Sequence, residues 1–105
     1  WHPGGIAEWS ALEWAGAMCG EAGEAANAAK KLLRLHSNIP SINDSAAGRH
    51  MLSVDQAQKA VCKEVADTII YGLLLMARAG CTDPEAVIRE VFNKKSEEYG
   101  FPERL

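Results

Sequence analysis

GEAGEAANAAKKLLR, residues 20–34, and KEVADTIIYGLLLMARAG, residues 63–80, decide the fold. Both are rich in Ala, Leu, Glu and Lys, which lose little on entering a helix, and neither has the strict alternation of a half-buried strand. Outward from the first stretch, a helical pattern opens after the turn His2-Pro3-Gly4-Gly5, near Ile6, and runs to about Leu35. Four helical segments are read in all; Gly16, Gly20 and Gly23 are weak points of this stretch, where a break or kink is allowed, and one helix or two both fit the pattern. Outward from the second stretch, Ser53 followed three residues later by Gln56 fits a capping box, and Gly80 stops the helix after Ala79. That helix is about 40 Å long at 1.5 Å per residue. Asp83-Pro84-Glu85 opens a last helix, with Asp83 as cap and Pro84 at the first position, which ends near Tyr99 before Gly100 and Pro102. Between the two long helices, residues 37–52 (SNIPSINDSAAGRHML) have the composition of a loop insertion. The expectation is all-α, one domain over residues 1–105.

The quoted stretches also carry the chemistry. Glu21 and Glu24 are three residues apart, so they lie about 60° apart on one helix face. Glu64 and Asp67 repeat that geometry, with Tyr71 one turn further along the same stripe. Two such helices face to face gather four carboxylates, which repel one another and cost stability without a counter-ion. A single E-x-x-E is common on solvated helix faces. Here each pair sits among small or apolar neighbours, Ala22, Ala25 and Ala26 around the first and Val61, Val65 and Ile69 around the second. Oxygen-only ligands suit hard cations, and Mg²⁺ in particular takes a few carboxylates while leaving positions for water and phosphate oxygens. Di-iron bundles use Glu-x-x-His, which neither Glu21 nor Glu64 begins, and no Cys/His grouping suggests zinc.

Charge and cysteine content exclude other classes. The net charge is −3, and no Lys/Arg run exceeds the pairs Lys30-Lys31 and Lys94-Lys95, so a nucleic acid polymer is not expected as partner. Cys19, Cys62 and Cys81 are odd in number and lack zinc-knuckle or redox spacing, which reads as reduced thiols of a cytoplasmic protein. The apolar run 68–77 is too short to span a bilayer, so no membrane partner is expected. With 48% apolar residues in so small a chain, an oligomer that hides more of that surface is favoured.

Together with FNKKSEEYGFP (residues 92–102), the two stretches resemble the MazG-like all-α nucleoside triphosphate pyrophosphohydrolases. The likeness covers most of the chain outside residues 37–52, and its signature, E-x-x-E then E-x-x-D, falls on Glu21, Glu24, Glu64 and Asp67. The resemblance implies a four-helix bundle that assembles through dimers, as a homodimer or a dimer of dimers. It implies Mg²⁺ held by the four acids, with Mn²⁺ as a substitute, and a nucleoside triphosphate, expected to be a dNTP, cleaved between its α and β phosphates to nucleoside monophosphate and pyrophosphate. Glu24, with Glu21 second, is the expected acceptor of the attacking water's proton. The long connection between Glu24 and Glu64 departs from compact members of that family. Set against the enzyme is a non-catalytic helical module that binds nucleotides or a protein.

Substrate contacts are read from position. Lys31, seven residues after Glu24, projects to nearly the same side and suits phosphate oxygens. Asn93 and Lys94 fall in the segment that resembles the family's late Asn-containing helix, where they would meet phosphate. Tyr71 is the expected platform for the base, while Trp9 and Trp14, five residues apart, share no helical face and read as core or dimer contact.

Overall fold

A computed structural model of the chain describes residues 3–37 and 53–105. Three α-helices stand among the described residues: α1 (Ala11–His36), α2 (Val54–Arg78) and α3 (Pro84–Tyr99). The all-α expectation holds. The loop expected at 37–52 lies outside the described residues, apart from Ser37, which caps the end of α1.

One detail of the first helical pattern is corrected, and the question its glycines leave open is answered. Residues Ile6–Glu8 form a 3₁₀ turn, and α1 starts only at Ala11, because Ser10 and Glu13 make a reciprocal capping box of their own. The Ser10 backbone N–H donates to Glu13 Oε2 (2.6 Å) while the Glu13 N–H donates to Ser10 Oγ (3.2 Å). Nor does α1 break at its glycines. Each mid-helix Gly costs roughly 1 kcal/mol relative to Ala, and contacts along the whole of α1 outweigh that. Elsewhere the signals read true: Ser53 and Gln56 form their capping box, Asp83 accepts from the Ala86 N–H (3.0 Å), and Gly100 adopts the left-handed conformation that ends α3 (φ 75°).

α1 and α2 form an antiparallel hairpin, since Trp14 meets Tyr71, Met18 meets Gly72, and Trp9 meets Arg78. The sheltered positions of α1 include Trp14, Met18, Glu21, Ala25, Ala28 and Leu32; those of α2 include Ala57, Val61, Glu64, Thr68, Tyr71 and Leu75. Both sets step by alternate threes and fours, the spacing of a two-helix seam with heptad character. Glu21 and Glu64 therefore occupy seam positions that an apolar residue would ordinarily fill.

One end of the seam is closed by rings. Trp14 is 1% exposed, and its indole N–H donates to the Ile6 carbonyl (2.9 Å), which fastens the 3₁₀ turn onto α1. Trp9 precedes the helix in extended backbone, so helical angles do not govern it, and its ring lies 4.8 Å from that of Trp14. The Arg78 Nε donates to the Trp9 carbonyl (2.8 Å), tying the far end of α2 to this corner.

Among the described residues, α3 makes no contact with α1 and leans on α2. An apolar groove of about 490 Å³ lined by Leu73, Pro84, Ile88 and Leu105 lies where it meets α2. Outside it, Val91 and Phe92 stay exposed, as does Ile69 on α2. No helix among the described residues is long and apolar enough to cross a membrane.

Candidate metal centre

Halfway along the hairpin the seam becomes acidic. Glu21 from α1 and Glu64 and Asp67 from α2 each offer a carboxylate oxygen within 4.8 Å of the others. The register of the two helices produces this cluster, and the three-residue spacing on α2 aims both of its acids at α1. The Glu64 and Asp67 side chains are only 18% and 24% exposed, so their charges are largely withdrawn from water. Glu64 Oε2 is buried and finds no hydrogen-bond donor. A buried acceptor left in that state costs free energy that a ligand or a proton would recover.

Of the four acids expected as ligands, Glu24 is not among the three that converge; it is exposed on α1 beside them. Its carboxyl is held above the 4.5 of an ordinary glutamate, first by a hydrogen bond with Glu64 and then by the negative charges of Glu21 and Glu64; Lys63 partly opposes this. A proton on Glu24 would give Glu64 the donor it lacks, which is how paired carboxylates behave without a cation. A divalent ion does the same by charge. The donor set fits one: all three groups that converge within 4.8 Å offer carboxylate oxygens, as hard cations prefer.

Lys63 is the member of this neighbourhood that its place in the sequence does not single out. Its Nζ donates to Asp67 Oδ2 (2.8 Å) and lies 3.3 Å from Glu64 Oε1. Those bonds, that to Asp67 first, push its ammonium up to about 12. The available signal was its position four residues before Asp67, a spacing that favours ion pairs on any helix and so marks nothing by itself.

Toward the far end of the hairpin, a groove of about 290 Å³ runs from Glu24 and Glu64 past Asn27 and Ala60 to Lys31. It adjoins a second depression lined by Asn27, Lys30, Lys31 and Arg34. Lys31 thus lies where its spacing from Glu24 predicts, and Asn27 and Arg34 join it. Tyr71 is on the acid-bearing face of α2 but packs against Trp14, at 6.0 Å between ring centres, and is half-buried. Asn93 and Lys94 are not brought to the acids. Asn93 instead holds the end of the described chain, its Oδ1 accepting from the Leu105 N–H (2.8 Å) and its Nδ2 donating to the Leu105 carbonyl (3.4 Å). No family model, no curated protein and no solved structure matches the chain.

Proposed function

We propose that the chain is a magnesium-dependent nucleoside triphosphate pyrophosphohydrolase of the MazG-like type, releasing a nucleoside monophosphate and pyrophosphate from a dNTP. One observation carries this reading: carboxylates from two helices converge to within 4.8 Å at seam positions, with a buried Glu64 oxygen that has no donor. Like charges withdrawn from water cost stability, which a bound cation would offset. A bound Mg²⁺ would supply charge neutralisation for the triphosphate and acidify a water. Glu21, Glu64 and Asp67 would hold the ion. Glu24, whose proton affinity is already raised, is the group suited to accept the attacking water's proton. Lys31 along the groove would draw phosphate oxygens away from the acids and orient the chain of phosphates, and Tyr71 would offer what remains exposed of its ring to the base. Asn93 and Lys94 would serve phosphate only from a second copy, since α3 does not touch α1.

Assembly belongs to the same proposal. To the side of the seam, α1 exposes Cys19, Ala22, Ala26, Ala29 and Leu33, and α2 exposes Cys62, Val65 and Ile69. Leu33 is 64% and Ile69 57% exposed, so the hairpin carries a second apolar stripe with nothing on it among the described residues. Two hairpins joined along those stripes would make the four-helix bundle of a homodimer, with a dimer of dimers as the larger form. The three free cysteines suit a cytoplasmic setting.

The test is a panel of dNTPs and NTPs incubated with protein and Mg²⁺, with pyrophosphate and orthophosphate measured separately. Pyrophosphate should appear first, EDTA should abolish it, and Glu24→Gln or Asp67→Asn should lower turnover by roughly 10²–10⁴-fold while the fold persists. Orthophosphate as first product, or unchanged turnover in both variants, overturns the assignment. Nucleotide binding with no product at all would point to the non-catalytic module.

A further inference from the structure

The helix-surface ion pairs among the described residues could be dismissed together as ordinary decoration, but one set differs. Lys59 with Asp55 (3.0 Å) and Arg89 with Glu85 (2.6 Å) join groups that are 50–79% exposed, where an ion pair contributes little. Lys63 has the same four-residue offset to Asp67, yet its partners Asp67 and Glu64 are 24% and 18% exposed and are two of the three acids whose oxygens converge. Its own side chain is 68% exposed, so the ammonium reaches in from the rim while its stem remains in solvent. It touches one oxygen of Glu64 and leaves the other without a donor. A monovalent charge at the edge thus offsets part of the repulsion without satisfying the interior of the cluster.

We propose that Lys63 is a tethered counter-ion of the acidic cluster, which holds Glu64 and Asp67 when no divalent cation is bound and competes with that cation for the same carboxylates. The inference rests on the cation-binding reading of the cluster. Lys63 acts through the two acids and is a positioning residue: it orients them, and it sets how readily the ion enters. Because its stem lies in solvent, it can withdraw without disturbing the seam. The competition is electrostatic, so weakening the lysine should favour the ion, which is opposite to what loss of a ligand or of a structural prop would do.

The experiment uses Mn²⁺ alone as probe, with binding followed by electron paramagnetic resonance and by calorimetry on wild type, Lys63→Met, Lys63→Arg and Asp67→Asn. Wild type should bind Mn²⁺, Asp67→Asn should bind it more weakly, and Lys63→Met should bind it about three- to tenfold more tightly, the scale set by losing one or two partly exposed ion pairs. Lys63→Arg should stay near wild type. The metal-free Lys63→Met protein should melt below wild type, with a larger rise in melting temperature on adding Mn²⁺. If wild type binds Mn²⁺ but Lys63→Met binds it equally or less tightly, the counter-ion role is overturned while the cluster stands as a cation site. If wild type binds no Mn²⁺, both are overturned.

Discussion

The two halves of the α1/α2 seam follow one spacing rule and reach opposite outcomes. At one end Trp14 fills its position, donates its indole N–H to Ile6 and packs at a tilt against Trp9 and Tyr71. Toward the middle, Glu21 and Glu64 occupy equivalent positions, repel one another, and leave a buried oxygen without a donor. The first half stabilises the hairpin, and the second carries half-buried like charges that cost stability.

The sharpest way to break the contrast is Trp14→Ala, which removes the most deeply buried large side chain and should cost about 3–5 kcal/mol in denaturant unfolding. A loss below ~1 kcal/mol would mean that the aromatic end does not hold the pair together. A smaller effect is expected in the acidic half. The Glu24 carboxyl binds its proton more tightly in the folded chain than when unfolded, so its contribution is favourable below the ordinary value of 4.5 and declines as pH rises through the raised one. The metal-free protein should accordingly melt at lower temperature as pH climbs out of the carboxylate range. Glu24→Gln should flatten that slope, and Mg²⁺ should raise the high-pH end; a slope unchanged in the variant would remove Glu24 from the account. The smallest effect compares Gly16, in the aromatic half, with Gly23, beside the acids. A Cβ at either meets nothing within 4 Å, so Gly16→Ala and Gly23→Ala should each raise stability by about 1 kcal/mol through helix propensity alone. Loss of stability at Gly23, together with dissociation seen in sedimentation, would instead mark close approach of a second copy there.

Most of the helix boundaries could be read from single residues with a local job: Ser53 with Gln56, Asp83 with Pro84, Gly100. Such caps depend on neighbours three or four residues away, which a sequence displays directly. The start of α1 was misread for a related reason, since Ser10 and Glu13 carry the same device but follow a short apolar turn that mimics a helical beginning. At the site, Glu21, Glu64 and Asp67 were recognisable because both helices repeat one spacing, and Lys31 because it lies two turns from Glu24. The bond between Asn93 and Leu105 is not legible in that way, because it depends on the chain doubling back across α3. The same holds for Trp9, whose place beside Trp14 follows from the extended backbone ahead of the helix.

The capped, antiparallel hairpin has one more consequence. Its acids are spaced by helix register, as marks on two rulers laid side by side, so the length of chain joining His36 to Ser53 does not enter the distances among Glu21, Glu64 and Asp67. A residue gained or lost within α2 between the aromatic corner and the acids would turn Glu64 by about 100° and shift it by about 1.5 Å. The connection is thus free to lengthen or change over generations, while the interval from Glu64 to Tyr71 is not. Heritable variation in a hairpin of this kind should accumulate between its helices and be purged from within them.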